Sequence, residues 1–422
     1  MRSWTRRTFA ALDIPEYRVL FLGSTAAMLA FTMSWTVQSV VAFDIAGTNT
    51  AVGIVSLGSG AAMLVLGPFG GVLADRLSKR TVLFVAQGGI GLIYAVLGVL
   101  VVTGTITVFW LALGTFIMGL GFTVIGPARQ AYIGELVPVR ALANAIALSQ
   151  LSQTFARIVS PLTAGVLIGI TMIGAGGAYF VMTALFVYVL VSLRGLPPGV
   201  ARVRAGSLIF ELGAGMRHVA ANRRRMLLAT GFVATVMAGF SFQAVLPGLL
   251  EHELGQPARM VGPLMGVSAI GGFAAAITLA GSAGGRHAWP LMFGGGVVFG
   301  LSLLALAVTP SMALAFAVVV VIGAGMGGFQ LMNNSLLMLE TEAPYHGRVM
   351  SIMTLAWGAN GLIALPIGAL ADAVGERAVL AGQGTAVIAV AAATAALFFT
   401  RNRAGEPATF TRGPAAGPAP GA

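Results

Sequence analysis

The chain alternates long apolar runs with short polar breaks. Leu, Val, Ala, Gly and Phe dominate runs near 19–43, 52–74, 81–103, 107–128, 142–169 and 174–194. They do so again near 227–250, 259–281, 288–308, 312–335, 348–371 and 378–399. About 20 residues at a helical rise of about 1.5 Å cover roughly 30 Å of hydrocarbon. The pattern therefore predicts an all-α membrane protein with twelve transmembrane helices. The longest polar break divides an N-terminal six-helix bundle (1–195) from a C-terminal one (227–400), with a linker at 196–226 between them. In that linker Leu208, Leu212, Gly215, Met216 and Val219 recur at helical spacing. They can lie along the membrane surface while Arg217 and Arg223 to Arg225 meet anionic headgroups; the alternative is a plain basic loop that sets topology. The tail, 401–422, is mostly Gly, Pro and Ala and is expected to be disordered.

The two halves repeat at nearly one offset. Pro138 and Pro344 lie 206 positions apart, and Pro161 and Pro366, each inside a span, lie 205 apart. The same offset carries Arg80 onto Arg286 but Asp75 onto Gly281, so the second half lacks that carboxylate.

Composition agrees with a membrane protein: 57% of the 422 residues are hydrophobic, 9% are charged and the mean hydropathy is +0.92. With no cysteine, disulfides, thiolate metal sites and a cysteine nucleophile are excluded. The formal charge of +11 would suggest nucleic acid in a soluble chain, but its placement matters more here. On the twelve-span layout 21 of 24 basic residues fall on one face. They are Arg2, Arg6, Arg7, Arg18, Arg76, Lys79, Arg80, Arg129, Arg140, the seven from Arg194 to Arg225, Arg286, Arg348 and three in the tail. The other face has Arg259 and Arg377, and Arg157 lies within a span. By the positive-inside rule the crowded face is cytoplasmic. This predicts a multi-pass protein of the cytoplasmic membrane with both termini inside. Met1 to Tyr17 reads as a cytoplasmic lead-in rather than a signal peptide.

Arg157 is the most informative single residue. It falls near the middle of span 5, and all 13 acidic residues lie at span ends, in loops or in the termini. A charge at that depth is costly unless it is partnered or wetted. Gln150, Gln153 and Arg157 follow i, i+3, i+7 spacing and share a helix face. Gln330, Asn333 and Asn334 form a second polar patch in span 10. Trp357 and Asn360 form a third in span 11, and Trp35, Gln38 and Gln243 add single groups. Amides within lipid commonly bond neighbouring helices, so each has a structural reading beside a substrate-binding one. Gly323-x-Gly325-x-x-Gly328 matches a dinucleotide fingerprint but lies inside an apolar span with no preceding strand, so close helix packing explains it. Glu251-His252-Glu253 is expected to be a solvated turn rather than a metal site. No phosphate-binding loop points to ATP, and no catalytic constellation points to an enzyme.

The charged stretch after span 2 carries a resemblance. Gly71, Asp75, Arg76, Lys79 and Arg80 match the G-x-x-x-D-R-x-G-R-R/K signature of the major facilitator superfamily, with Ser78 in place of the usual glycine. Gly126 to Pro138, Asn144 to Leu148 and Ala156 to Gly165 resemble the branch that includes enterobactin exporters and macrolide-efflux-like proteins. The resemblance implies two six-helix bundles around a central cavity. It implies export of a drug or siderophore-like small molecule by alternating access, acting as a monomer without cofactor or metal, often coupled to proton entry. Ser160-Pro161-x-x-Ala164-Gly165 is a degenerate form of the antiporter element G-P-x-x-G-G. Asp75, Glu135, Glu340, Glu342 and Asp372 are the candidate proton carriers. Gly71, Asp75, Arg76, Lys79 and Arg80 become a conformational gate, in which Asp75 pairs with Arg80 or caps span 11 near Gly347. Gly67 and Gly71, four apart, are expected to admit a neighbouring helix. The alternatives are an importer on the same fold, or a non-transporting membrane sensor or assembly partner.

Overall fold

The computed structural model describes residues 9–199, 208–282, 285, 287–342 and 345–402, with the side chains of 68–76, 208–212, 214, 280, 347–348, 350–352 and 401–402 outside the description. Among these residues the regular elements are all helical. The first half consists of α1 (Pro15–Ala46), α2 (Asn49–Arg76), α3 (Lys79–Val102), α4 (Val108–Leu136), α5 (Val139–Gly169) and α6 (Gly174–Arg194). A linker helix, α7 (Leu208–Ala220), leads to α8 (Arg223–Gly239). The second half continues with α9 (Val261–Leu279), α10 (Ala288–Ala307), α11 (Met312–Leu339), α12 (His346–Val374) and α13 (Glu376–Asn402). Twelve helices are long and apolar enough to cross a membrane. The calls on residues 1–8, Ser207 and the tail beyond Asn402 lie outside the described residues.

Local chemistry sets the boundaries. The side-chain oxygens of Thr48, Ser78 and Thr107 accept backbone N–H groups in the first turns of α2, α3 and α4. Gly47, at φ 63°, ends α1, and Gly375, at φ 91°, makes the one-residue corner between α12 and α13. A side chain would be strained at both positions. Several helices overrun their apolar runs: α1 starts at Pro15, which needs no N–H there, and α4 continues to Leu136. Hydropathy stops at the first polar residue, whereas backbone hydrogen bonding does not. The span expected over 227–250 is broken. After Gly239 the chain tightens into a 3₁₀ turn, Phe240–Ala244, and ends in a wide turn, Leu249–Glu253. Pro247, which has no N–H and crowds the preceding turn, accounts for the break.

Each half packs on itself, with α1 against α5 and α6, α2 against α4, α9 against α11, and α10 against α13. The halves meet along two seams, α2 with α12 and α5 with α9. Both seams are glycine-lined. A Cβ on Gly60 would stand 2.6 Å from the Gly358 carbonyl oxygen, and one on Gly53 would stand 2.6 Å from Leu365 Cα. On the second seam Gly262 would meet the Pro161 oxygen at 2.6 Å. The close approach expected at Gly67 is instead at Gly53 and Gly60. Gly67 only reaches ordinary contact, 3.8 Å, with Leu355 Cδ2, because its neighbour there is a side chain rather than a glycine backbone. The Gly323 and Gly325 pattern is helix packing: a Cβ on Gly323 would clash with the Ser268 carbonyl oxygen and one on Gly325 would lie 2.6 Å from Phe299 N.

Part of the linker helix docks on protein. Gly215 and Val219 are buried where α7 packs on α12 and α2, Met216 is 57% exposed, and the side chains of Leu208 and Leu212 lie outside the description. The arginines that follow bond to protein. Arg223 donates to the Leu397 carbonyl at 2.8 Å, Arg224 pairs with Glu340 at 3.5 Å, and Arg225 contacts the His218 ring. Helix-end carbonyls and a carboxylate within reach compete with lipid headgroups for these guanidinium groups.

Candidate functional site

A ladder of hydroxyls fixes α5 against α1. Thr25 Oγ1 and Ser152 Oγ lie 2.7 Å apart, Thr32 donates to Ser160 Oγ at 2.8 Å, and Tyr17 donates to the Ala145 carbonyl at 2.7 Å. Rotating about 100° per residue from that ladder, Gln150, Gln153 and Arg157 share a sector of about 60°. That sector lies between the face on α1 and the face carrying Pro161 and Gly165, which meets α9. Gln150 and Arg157 are exposed and Gln153 is half-buried. On the other side of α5, Leu151, Phe155 and Val166 are 52–60% exposed and apolar, as a lipid-facing side should be. The polar sector therefore opens between the two halves. Among the described residues Arg157 has no hydrogen-bond or ion-pair partner.

Trp35 belongs to the same level. It is one helical turn from Thr32, which also bonds the Ala156 carbonyl, and it is 51% exposed. Its ring leans edge-on against Phe31, which stacks on Phe122 of α4 at 4.5 Å. Gln38 does not join it. That amide is 2% exposed and donates to Met118 Sδ at 3.0 Å, inside the first half's core.

The second half contributes an aromatic and amide wall. Trp357 packs edge-on against Phe240 and Phe232, at 5.2 and 6.5 Å, and Phe232 stacks on Phe329. Asn360 lies one turn along from Trp357, and Gln330 follows Phe329. Gln243 is exposed on the 3₁₀ turn. Asn333 Nδ2, Asn334 Oδ1 and Asn360 Oδ1 are buried with no hydrogen-bond partner. Buried polar atoms are rarely left so. A ligand or water with complementary groups would satisfy them.

At the arginine-rich end, Arg80 donates to the Leu196 carbonyl at 2.8 Å, and Tyr132 donates to Pro197. Lys79 is buried, and a Cβ on Gly199 would meet both Lys79 Cβ and the Glu135 carboxylate. The charged loop is thus tied to the end of α6. The gate residues Gly71, Asp75 and Arg76 lie outside the described side chains, as does the α12 start at Gly347, so the pairing expected of Asp75 falls outside them too.

The arginine-poor end was not singled out as a site from sequence. Glu251, His252 and Glu253 are exposed, as expected of a solvated turn, and each is also bonded. Glu251 accepts from Ala258 N at 3.2 Å, His252 Nδ1 lies 2.7 Å from Glu376 Oε1, and Arg377 donates to Glu253 at 2.6 Å. Complementary charges on α13 tie it down. Asp372 accepts from the backbone of Asn49 and Thr50, so α2 and α12 are joined at this end. Asp372 stood among the candidate proton carriers, but nothing in its sequence neighbourhood pointed to the start of α2.

Comparison with known proteins follows the same lines. The family model described as Major Facilitator Superfamily matches residues 20–364. Proteins named Enterobactin exporter EntS from Citrobacter koseri and Shigella boydii are each 27% identical over 208 residues, 47% of this chain and 48% of theirs. The chain thus spans about half the length of the curated relatives it matches. Among solved structures, a bacterial homologue of the human lysosomal transporter Spinster, inward-facing and unoccupied, superposes with a TM-score of 0.70 at 16% identity. It covers 92% of this chain and 97% of its own. The nucleoside transporter NupG superposes with a TM-score of 0.71 at 14% identity, covering 90% and 99%. At these identities the likeness is one of fold.

Proposed function

The chain belongs to the Major Facilitator Superfamily and is a secondary transporter, and we propose that it exports small, oxygen-rich or anionic molecules across the bacterial cytoplasmic membrane. Arg157 carries this reading. A guanidinium held on an exposed polar sector between the halves, without a partner among the described residues, suits a carboxylate or a cluster of hydroxyl and carbonyl oxygens. The unpartnered amides of Asn333, Asn334 and Asn360 add donors and acceptors, and Trp35 and Trp357 offer flat apolar faces. The partial likeness to enterobactin exporters supports export. The arginine distribution supports a cytoplasmic arginine-rich end, with substrate entering there. The energy source would be an ion gradient, and the carboxylates Glu135, Glu340, Glu342 and Asp372 all sit at helix ends rather than beside Arg157.

The test is growth and accumulation. A deletion strain and its complemented parent are compared across a panel of antibiotics, organic acids and catecholates, with and without iron limitation. Heightened sensitivity or retention of an anionic or oxygen-rich compound in the deletion strain supports export. Reduced uptake of the same compound would reverse the direction, and no difference for any compound would remove the transport reading.

A further inference from the structure

Two helices of the second half, α12 and α13, and the turn through Gly248 and His252 converge on the start of α2. Asp372, in the last turn of α12, accepts from Asn49 N at 2.8 Å and Asn49 Nδ2 at 3.0 Å through one oxygen. The other oxygen accepts from Thr50 N at 2.8 Å and Thr50 Oγ1 at 2.5 Å. Asn49 is fully buried. Its Nδ2 also donates to Glu376 Oε1 at 2.9 Å, and its Oδ1 accepts from Gly248 N at 3.2 Å. Glu376, 4% exposed, is held in turn by His252. Every one of the four bonds to Asp372 crosses from one half to the other.

The physics favours this arrangement only while the halves touch. The first N–H groups of a helix have no partner within it and carry its positive end. Thr48 satisfies Ala51 N, and a carboxylate from the opposite half satisfies two more. Separation would take the acceptor from Asn49 N and Thr50 N and would break the contacts of buried Asn49 and Glu376, whose polar atoms are costly to leave unpaired.

We propose that this network is the latch that holds the arginine-poor side shut, with Asp372 as its central acceptor, so that the unloaded protein rests open toward the arginine-rich side. The inference rests on the alternating-access reading above. It also gives the seam a reciprocal form. α2 and α12 run antiparallel, since Gly53 meets Leu365 and Gly67 meets Leu355. Asp75 falls in the last turn of α2, as Asp372 falls in the last turn of α12. Each helix of the pair thus has an aspartate in its last turn.

The chain has no cysteine, so spin labels can be placed cleanly. Met172→Cys and Val308→Cys are 97% and 74% exposed, lie at the arginine-poor end and belong to different halves. Their distance distribution, measured by electron-spin double resonance on full-length protein in nanodiscs, reports opening. Asp372→Asn keeps the shape and removes the charge. It should raise the long-distance fraction about tenfold, as losing charge-assisted bonds implies, and Thr50→Val should raise it less. Glu253→Gln breaks an ion pair at the same end that stays within the second half, and should change nothing. Unchanged distributions in both Asp372→Asn and Thr50→Val would overturn the latch, whether or not transport persists. Should Asp372→Asn fail to fold, Thr50→Val alone decides by the same criterion. A shifted distribution in a protein that moves no compound of the panel would keep the latch and remove the transport reading.

Discussion

Arg157→Ala separates an arginine that reads a ligand from one that holds helices together. Truncating one partner of a buried ion pair costs about 3–5 kcal/mol, because the other charge is left stranded. Arg157 has no such partner among the described residues and its side chain is exposed, so nothing is stranded by its removal. Its loss should therefore cost less than about 0.5 kcal/mol of stability, a melting shift under about 2 °C for a chain of this size. On the ligand side, a hydrogen bond to a charged group is worth about 1.5–3 kcal/mol. That corresponds to a loss of roughly 10- to 150-fold in affinity. Arg157→Lys keeps the charge but loses the planar fork, and should fall between the two. The assay pairs melting of purified protein with calorimetric binding and transport of the compound identified by growth, at matched expression. Wild-type binding and transport by Arg157→Ala would refute ligand recognition. A large melting loss with unchanged affinity would make the residue structural.

Gly323→Ala should destabilise by about 1–3 kcal/mol, since its Cβ would clash with the Ser268 carbonyl oxygen and α9 and α11 would have to part. Gly294→Ala, with open space around it, should be neutral or better, and equal melting shifts for the two would contradict the packing account. Burial pushes the His218 pKa below its ordinary 6.5, Arg225 lowers it further and Glu342 opposes them. Its docking against Tyr345, where the rings stack at 3.8 Å, is fully stabilising above about pH 6.5 and is lost as pH falls through the lowered value. Hydrogen-exchange protection of 208–220, taken relative to the intrinsic rate at each pH, should fall on acidification, and His218→Gln should flatten that response. Single cysteines at Ser207 and Gln256 should label from opposite sides of intact cells; labelling of both from outside would overturn the assigned orientation.

The twelve helices were legible because membrane insertion imposes a signal on every residue of a run, and no single position decides it. The site was legible only in part. Gln38 and Gln243 look alike along the chain, yet Met118 of α4, 80 positions from Gln38, draws that amide into the core while Gln243 stays exposed. The break in α8 was written in Pro247, but tolerated prolines inside α4, α5 and α12 show why proline alone does not announce one. The bonds at Asn49 and Asp372 join residues 323 positions apart. Each is an ordinary polar residue at a span end, and only the antiparallel seam between halves makes one the cap of the other.

The distribution of bonds suggests where the cost of moving the halves resides. Within a half, hydroxyls and amides bridge helices along their length: Thr25 to Ser152, Thr32 to Ser160, Thr115 to the Val55 carbonyl at 2.6 Å, and Gln383 to Ser241 at 2.8 Å. Such bridges fix relative rotation, so each half should move as a body. Between the halves the mid-seam contacts are glycine backbone on glycine backbone, Gly60 on Gly358 and Gly361, and Gly165 on Gly262. Surfaces without side chains approach closely but interlock little. The polar bonds described between the halves gather instead at Asn49 and Thr50, at one end of the seam. A rolling motion about mid-seam would open that end first, so a small number of bonds there can outweigh a long apolar seam in deciding which side is shut.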